Sequence, residues 1–510
     1  MVGDRVLSLS DYDLQVFEQF VPAEHFLRKA LTVIPWDQFE PPLASYYHAD
    51  TGRPSEWPLL MLKLEYLRYQ YGLSDGQVIE RAKTDIGFRF FLQIGHTRQL
   101  PDPSSLCYFR GRLGGKGFRQ VFDQVVGMAR EQGLVRDRLR IKDATHVIAD
   151  IAIPTTLGLV AQTRDKLLAA AEPFDSTRVE GERINIELLR ESTKGQADPE
   201  RLLRRVTHLR EMLAWIDELT VPEDASTNRR WQRLLEQRRL AHKILNDQEK
   251  PNAGDKTVSA VDPEARRGKH GDWYDGYSLD ILIDADSELI TQINVLAANG
   301  EEAMDAIDLV RQEEAAHGND IESLSIDGAG FHGPMLRELE DPEGLAINTF
   351  VPPKTEPASD TFGPDDFVEN EEGTAVTCPA GETSRYRERD SKDRVTIHRF
   401  AVQACKACPL VSKCMKNPPK RHGRKVRKND YQEEYQRVRE KATTEAYASV
   451  RAEHPKVERK LGEIVNRHGG RRARYHGMGK ILIQELMAST ATNLKRMVRL
   501  LHAPEPALEP

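Results

Sequence analysis

The chain has 510 residues, of which 39% are hydrophobic and 30% charged, and this length accommodates about two to four domains with at least one large core. No apolar run approaches the roughly 18 residues of a membrane span, which excludes a transmembrane protein. The N-terminal stretch MVGDRVLSLSDYDL has acids where a secretory signal begins with basic residues, so we expect a cytoplasmic protein. The net charge of -7 argues against a protein that binds nucleic acid over its whole surface, although local basic segments remain compatible with DNA binding.

Residues 1–138 are predicted to be helical. Ser74 and Gln77 are spaced three residues apart, which suits a capping box at the start of a helix. The last helix of this region carries Arg110 and Arg112. Short helices joined by tight turns are compatible with a helix-turn-helix, and equally with an all-helical bundle that has a solvated basic face.

The stretch RIKDATHVIADIAIP predicts a buried strand, with Asp143 near its start. Residues 163–255 follow as a helical insertion, because they are rich in charged and helix-forming residues. Apolar residues recur within it at positions 202, 206, 209, 213 and 216, a spacing that gives a seam for another helix.

The alternation of apolar and polar residues returns at position 277 and predicts a sheet. We expect the strand YSLDILID, the turn ADSE, the hairpin partner LITQINVLA, a helix over 301–316, a strand ending at Asp327, a helix near 333–341 and the strand LAINTFVP. Together with the opening strand, this order predicts an α/β sheet with three strands ahead of the first helix. A long helical region is expected from about residue 430 to 500.

Three acids are candidates for a common site on this sheet. Asp143 and Asp327 lie at strand ends, where α/β proteins build ligand sites, and Glu458 lies beside the apolar face of a predicted helix. That apolar face consists of Val457, Leu461 and Ile464. Converging carboxylates repel each other unless divalent cations neutralise them, and oxygen ligands suit Mg²⁺ or Mn²⁺. Two such ions roughly 3.5–4 Å apart can activate a water or a 3′-hydroxyl for in-line displacement at a phosphodiester.

Each of these acids alone is more typical of a turn or a helix cap than of catalysis. Comparable acids lie nearby at Asp150, Asp280, Asp284 and Glu453, and periodicity does not choose among them.

The sequence around the three candidate acids resembles bacterial insertion-sequence transposases of the DDE class, whose catalytic domain is ribonuclease-H-like. The stretches IKDATHVIADIAIPT and SIDGAGFHG resemble the family's two aspartate strands, and VERKLGEIVNRHGGRRARYHG resembles its catalytic-glutamate helix. The stretch VDPEARRGKHGDWYDGYSLDILIDADSELITQINVLAANGEE is similar to the family's intervening hairpin. The resemblance implies that Asp143, Asp327 and Glu458 are catalytic residues that hold two Mg²⁺ or Mn²⁺ ions.

The resemblance also implies an α/β fold with a ribonuclease-H-like mixed sheet flanked by helices, a helical N-terminal domain, and helical and cysteine-bearing insertions. The expected division is a DNA-binding domain (1–138), a catalytic core (139–162 and 256–352), a helical insertion (163–255), a polar, cysteine-bearing insertion (353–430) and the catalytic-glutamate helix with C-terminal helices (431–510).

The activity implied is that of a homodimer, associated with the bacterial nucleoid, that binds double-stranded DNA at terminal inverted repeats. A metal-activated water would cut the DNA, and the freed 3′-hydroxyl would attack target DNA. A metal-dependent nuclease without joining activity and a non-catalytic DNA-binding regulator derived from a transposase are the alternatives.

The chain departs from the family pattern around its glutamate. Arg451, His454 and Val465 stand where the family often has Tyr, Arg and Lys. Ser278 and Asp280 replace a basic residue and a His that are common in the hairpin strand.

Four of the five cysteines fall within one region, at Cys378, Cys405, Cys408 and Cys414. Four thiolates form a closed tetrahedral zinc site, which would stabilise an insertion too polar to fold on its own core. His398 or His422 could replace one cysteine, and reduced cysteines without metal are the alternative. Cys107 is expected to be a small core residue.

Two segments are strongly basic. From Lys413 to Lys428 there are eight Lys or Arg and no acid, and the stretch NRHGGRRARYHG is also basic. Such runs are often only solvated surface, but beside a catalytic helix they favour contact with the DNA backbone. The predicted DNA-binding residues are Arg110, Arg112, Lys420, Arg421, Arg424, Lys425, Arg451, Arg467, Arg471 and Arg472.

Overall fold

The computed structural model describes residues 9–48, 54–250, 253–354, 361–392, 394–417 and 419–502. The described residues ahead of the first strand form helices, as predicted. These helices are α1 (Asp11–Phe20), α2 (Phe26–Val33), α3 (Glu40–Ala44), α4 (Pro58–Gln70), α5 (Asp75–Thr84), α6 (Ile86–Leu92) and α7 (Ser104–Glu131).

Local sequence signals explain how two of these helices form. Helix α5 begins with the predicted capping box, in which the Ser74 hydroxyl accepts from the amide of Gln77 and the Gln77 side chain accepts from the Ser74 amide. Helix α7 is kinked at Gly114, whose φ of 57° lies in the left-handed region that glycine tolerates. The kink lets one long helix serve both the N-terminal bundle and the sheet.

The central sheet is mixed and has six strands. They are β1 (Arg140–Ile148), β2 (Arg266–His270), β3 (Asp272–Asp284), β4 (Ile290–Ala297), β5 (Ser323–Ile326) and β6 (Asn348–Phe350). Strand β1 lies between β3, to which it is antiparallel, and β5, to which it is parallel. The predicted sheet is confirmed, with one strand more than expected.

The additional strand is β2, which pairs with the first half of β3, whereas β4 pairs with the second half. Its sequence, RRGKH, lacks the apolar alternation by which strands are recognised. Two glycines accommodate it. Gly271 makes the turn into β3 with a φ of 72°, and a Cβ on Gly268 would lie 2.2 Å from the backbone oxygen of Ala298.

Helices cover the sheet and build the insertion after β1. These helices are α8 (Thr156–Ala171), α9 (Ser176–Ser192), α10 (Asp198–Asp217), α11 (Arg229–Glu249), α12 (Glu302–His317) and α13 (Gly333–Leu339). Helix α8 begins at Thr156 rather than at residue 163, because Thr155 caps it by accepting from the amide of Gly158. The predicted seam is confirmed, since four of its residues are buried in a separate core of this insertion: Val206, Leu209, Leu213 and Ile216.

The C-terminal third contains small strands followed by helices. In chain order these are β7 (Val368–Glu369), β8 (Val376–Thr377), β9 (Tyr386–Asp390), β10 (Val395–Arg399), α14 (Val402–Ala407), α15 (Val411–Cys414), β11 (Lys425–Asn429), α16 (Gln432–Lys441), α17 (Glu445–Glu453), α18 (Pro455–Arg467) and α19 (Met478–Leu501). Strands β9, β10 and β11 form a sheet of their own, with β10 in the middle.

Two cores enclose the central sheet. One core joins a face of the sheet to α7, α18, α19 and the N-terminal helices, and the other joins the sheet to α12 and α13. Helix α19 is fixed to the sheet by Asn493, whose side-chain amide accepts from the amide of Ile290 at 2.8 Å and donates to its carbonyl at 2.7 Å. The fold class is therefore the predicted one, a ribonuclease-H-like mixed sheet flanked by helices. Among the described residues, no helix has both the length and the apolar character that crossing a bilayer requires.

Candidate active site

Neighbouring parallel strands bring two of the candidate acids side by side. Lys142 of β1 is in register with Ile326 of β5, so the next positions along the two strands are Asp143 and Asp327. Asp143 Oδ1 accepts from the amide of Ala144 at 2.8 Å. The Asp327 carboxylate caps the turn that follows β5, where its Oδ1 accepts from a backbone amide at 3.1 Å.

Helix α18 supplies the third acid. The predicted apolar face is confirmed, because Val457, Leu461 and Ile464 are all buried in the main core. Glu458 lies in the first turn of the helix and is exposed. Packing of the helix on the sheet through its apolar face therefore leaves Glu458 at the mouth of a cavity next to β1.

This cavity, with a volume of about 690 Å³, is lined by Asp143, Asp327 and Glu458 together. Burial raises the pKa of Asp143 to about 6, and the negative charges of Asp327 and Glu458 contribute to the rise. The amide of Ala144 and the ammonium of Lys142 act in the opposite direction. Three acids from distant parts of the sequence thus interact electrostatically at one place.

The chemistry of the three side chains suits a divalent cation. All three side chains offer carboxylate oxygens, which are the ligands that Mg²⁺ and Mn²⁺ prefer, and the open cavity leaves room for water ligands. Within the described part of the chain, however, no three or more His, Cys, Asp or Glu side chains are grouped closely enough to hold a metal ion. The chemistry of the site fits divalent cations, while the carboxylates stand apart around the cavity.

Arg451 and His454, which occupy two of the positions where the chain departs from the family pattern, share one hydroxyl. Arg451 Nη1 donates to Ser325 Oγ at 3.0 Å and to the carbonyl of Ile326 at 2.8 Å. His454 Nδ1 lies 3.0 Å from the same Ser325 Oγ. Burial, together with the charge of Arg451, lowers the pKa of His454 to about 4, so His454 is neutral at pH 7.

Arg471 reaches the cavity from the segment after α18. Its Nη1 donates to Thr145 Oγ1 at 3.2 Å and to the carbonyl of His146 at 2.6 Å. The backbone of this segment continues the sheet, because the amide of Ile148 donates to the Arg471 carbonyl at 2.8 Å. The predicted Arg467 and Arg472 are exposed, and neither lines this cavity.

Sequence reasoning missed one group that lines the cavity. His270, at the end of β2, faces it, and the ring of His146 lies 5.3 Å from that of His270. Only recognition of β2 would have brought this histidine to the site, and the charged sequence of β2 gave no sign of a strand.

The two arginines predicted on α7 have different environments. Arg110 is 8% exposed and forms ion pairs with Glu65 and Asp75, so its guanidinium is engaged within the bundle and is not accessible to a DNA phosphate. Arg112 is exposed and lies over the ring of Tyr47, 4.3 Å from its centroid. The two arginines differ because the acids that pair with Arg110 lie within the bundle. The prediction that Arg110 contacts DNA is corrected accordingly.

The basic run from Lys413 to Lys428 is also only partly exposed to solvent. Lys420, Arg421 and Lys425 are exposed. Arg424 is half-buried, donates to the carbonyl of Phe362 at 2.7 Å, and lies over the ring of Phe367. Arg424 therefore holds the insertion together rather than facing a DNA backbone.

One small cavity of about 30 Å³ is lined by the four clustered cysteines, Cys378, Cys405, Cys408 and Cys414. Among the described residues, these thiols, like the carboxylates, are not grouped closely enough to hold a metal ion. All four are free and half-buried. Neither His398 nor His422 lines this cavity. Burial raises the pKa of Cys414, and the three neighbouring thiols contribute. The prediction that Cys107 is a core residue is wrong, because it is exposed on α7.

Comparisons with known proteins agree with this architecture. Residues 15–112 match a family model described as transposase domain (DUF772), and residues 377–498 match one described as transposase DDE domain, which includes Glu458. An uncharacterized protein, ORF8 in the nfe locus of Rhizobium meliloti, is 30% identical over 150 residues, which are 28% of this chain and 70% of the relative. No solved structure matches. The chain belongs to the insertion-sequence transposases of the DDE class.

Proposed function

We propose that the protein is a transposase that binds the terminal inverted repeats of its own element and catalyses metal-dependent DNA cleavage and strand transfer. The observation that carries the proposal is the common cavity lined by Asp143, Asp327 and Glu458. These acids come from β1, the end of β5 and α18, and membership of a transposase family supports DNA as the substrate.

The three carboxylates would bind two Mg²⁺ or Mn²⁺ ions, each held by a subset of the acids and by water. When bound, the ions supply activation of the attacking water or 3′-hydroxyl and stabilisation of the leaving oxygen. Asp143 lies on a rigid central strand, so it would fix the position of the reacting phosphodiester relative to the sheet.

Arg451 and Arg471 would bind the phosphate next to the scissile bond. Each guanidinium is held through one nitrogen by hydrogen bonds to the strands, so other nitrogens remain for phosphate oxygens. His454 would keep the Ser325 hydroxyl in place, and being neutral it adds no charge to a site already crowded with titratable groups.

DNA binding would extend beyond this cavity. We assign residues 1–138, with Arg112, to recognition of the element ends, and Lys420, Arg421, Lys425, Arg467 and Arg472 to contacts with the DNA backbone. Two ends must be joined, which favours a homodimer on double-stranded DNA. Phosphate neutralisation by these residues makes steeply salt-dependent binding the expected behaviour.

The remaining domains follow from the same proposal. Residues 139–162 and 256–352 would form the catalytic core, 163–255 a helical insertion, 353–430 the cysteine-bearing insertion and 431–510 the catalytic-glutamate helix and tail. The cysteine-bearing insertion would hold a structural Zn²⁺ ion. The support is that four cysteines line one small cavity, although the thiols would have to move closer together to bind the ion.

The test uses DNA that carries the inverted repeats flanking the gene, incubated with the full chain and Mg²⁺. We expect cleaved and joined products, both lost when EDTA replaces Mg²⁺ and in the variants Asp143→Asn, Asp327→Asn and Glu458→Gln. Asp150→Asn is the matched control, because Asp150 is exposed just beyond β1 and does not line the cavity.

Each other outcome contradicts the proposal in a different way. Cleavage without joining would identify a nuclease. Binding of the repeats without either reaction would identify a DNA-binding regulator. Activity that survives in all three carboxylate variants would place the chemistry elsewhere in the chain.

A further inference from the structure

The sheet formed by β9, β10 and β11 carries a row of one aromatic and two cationic side chains, of which Tyr386 and Lys425 are exposed and Arg399 is half-buried. Arg399 of β10 is in register with Tyr386 of β9 on one side and with Lys425 of β11 on the other. Directly opposed residues of antiparallel strands project from the same face, about 4.5–5.5 Å apart. Tyr386 is 68% exposed, although an aromatic ring of this size is normally buried.

The row forms the floor of a groove with a volume of about 470 Å³. Arg385 and Arg421 line the same groove and are exposed, as is Lys425. None of these three cations forms an ion pair with any residue that the structure describes. The one acid in the groove, Glu388, is itself paired with Arg399. The groove therefore carries an excess of uncompensated positive charge.

The rim of the groove is held in place by close backbone packing. A Cβ on Gly423 would lie 2.4 Å from the carbonyl oxygen of Phe400, so only glycine permits this approach of the loop to the end of β10. The Phe400 amide donates to the carbonyl of Arg424 at 3.0 Å. Arg421, two residues before Gly423, is thereby carried on an anchored loop.

We propose that this groove binds single-stranded DNA, with the ring of Tyr386 stacked on a base and the surrounding cations on the adjacent phosphates. An exposed aromatic ring within a basic groove is the combination by which single strands are held without sequence preference. A duplex hides the faces of its bases, so duplex binding would use the cations and leave the tyrosine ring without a partner. The groove is separate from the carboxylate cavity and shares no lining residue with it.

The proposal extends the DNA-processing function proposed above but does not depend on it. Single-stranded segments arise wherever DNA ends are opened, and binding them needs neither metal nor catalysis. Failure of cleavage would leave this proposal intact, and loss of single-strand binding would leave the proposed catalytic function intact.

The experiment measures fluorescence anisotropy of a labelled 15-nucleotide oligo-dT and of a duplex of the same length, with the full chain in EDTA. Tyr386→Ala is expected to weaken binding of the single strand about tenfold or more, because stacking on one aromatic ring contributes about 1–3 kcal/mol per base. Binding of the duplex should change by less than about twofold. Tyr386→Phe keeps the ring and should bind the single strand as the parent does.

Two variants that remove the same number of positive charges distinguish binding in this groove from a general attraction of DNA to positive charge. Arg385→Gln with Arg421→Gln and Lys425→Gln should weaken single-strand binding and reduce its salt dependence by about three phosphate contacts. The control is Arg204→Gln with Arg229→Gln and Arg230→Gln, which removes the same charge from exposed positions of the helical insertion and should have little effect.

Three results would overturn the proposal. Tyr386→Ala could leave single-strand binding unchanged, or it could weaken single strand and duplex equally, which would make the groove a duplex contact. Displacement of the oligonucleotide by polyglutamate with equal efficiency in the parent and in Tyr386→Ala would instead identify a groove for an acidic protein.

Discussion

The ammonium of Lys142 forms an ion pair with the carboxylate of Asp280, with Nζ 2.7 Å from Oδ2 and both side chains buried. Lys142 precedes Asp143 on β1, and alternate residues of a strand face opposite sides of the sheet. Burial alone would lower the pKa of Lys142, but the negative charge of Asp280 raises it overall, so the lysine remains charged. The aspartate that departs from the family pattern thus compensates a buried cation directly behind the candidate active site.

Replacing Asp280 by Ala leaves the Lys142 charge buried without its partner. We expect the free energy of unfolding of the transition that includes the sheet to fall by about 3–5 kcal/mol, as measured by urea denaturation. The control is Glu172→Ala, which breaks the exposed pair of Glu172 with Arg183 and should leave the stability nearly unchanged. Equal losses of unfolding free energy in the two variants would mean that the buried pair contributes no more to stability than the exposed pair.

The two arginines of α7 give a second prediction. Arg110→Ala removes a buried partner of Glu65, and we expect a loss of about 3 kcal/mol, near the lower end for buried pairs because Arg68 still contacts Glu65. Arg112→Ala should leave thermal stability nearly unchanged and weaken binding to inverted-repeat DNA. Parallel melting and DNA-binding measurements on the two variants check the contrast, which would be refuted if Arg110→Ala weakened DNA binding without loss of stability.

The sheet could be predicted because its strands alternate or run apolar, and the helix of Glu458 because Val457, Leu461 and Ile464 recur on one face. The same periodicity could not show which of the acids form the candidate active site. Asp284 lies at a strand end as Asp327 does, but its Oδ1 accepts from the distant amide of Arg136 and pairs with the buried guanidinium of Arg140. At the level of sequence, only the family resemblance distinguished Asp327 from Asp284. Side-chain partners far along the chain decide which of the two faces the cavity.

Other features depended on contacts that no local pattern encodes. Strand β2 is charged and forms because β3 extends beyond β4 and offers it an unpaired edge. Arg110 and Arg112 both stand in a basic helical stretch, and ion pairs with Glu65 and Asp75 make Arg110 structural. The row of Tyr386, Arg399 and Lys425 arises from strand register, which the sequence does not reveal in so polar an insertion.

The third prediction concerns the position of Arg451. Ser325→Ala removes one of the two groups that fix its guanidinium, so we expect the DNA cleavage rate to fall about tenfold while affinity for the DNA is retained. Arg451→Lys should also cleave more slowly, because the compact ammonium of lysine lacks the planar fork that lets one guanidinium nitrogen bind the strand while another faces a phosphate. Single-turnover cleavage assays measure both, with Ser323→Ala on the same strand as the control. A Ser325→Ala enzyme that loses affinity but keeps its rate would contradict a positioning role.

The fourth prediction concerns the cysteine cavity. If Zn²⁺ occupies it, the purified chain should contain about one zinc per molecule by elemental analysis, and Cys405→Ser or Cys408→Ser should lose it. Because the insertion has only a small apolar core around Phe367, Val376, Phe400 and Val426, metal loss should also make it more sensitive to limited proteolysis. Cys107→Ser is the matched control, since this exposed thiol lies on α7. Zinc retained in both cavity variants would disprove the assignment.

The last prediction concerns Glu485, which is fully buried in α19 near Arg471 and Arg474. Burial raises the pKa of Glu485 to about 8, although a hydrogen bond from Gln484 and the two arginine charges lower it in part. The folded protein therefore keeps this carboxyl protonated at neutral pH, whereas in the unfolded chain it ionises near its ordinary value of 4.5. Because the folded state binds the extra proton, this residue contributes a loss of stability as pH rises between these two values, at up to about 1.4 kcal/mol per pH unit.

Glu485→Gln removes that proton equilibrium while keeping the shape of the side chain. At pH 5 the variant and the parent should melt at similar temperatures, and the variant should become progressively the more stable as pH approaches 8. Thermal unfolding at several pH values measures the difference between the two proteins, which cancels the titration of all other groups. A difference that stays constant from pH 5 to pH 8 would mean that Glu485 is ionised in the folded protein, with Arg471 and Arg474 close enough to outweigh its burial.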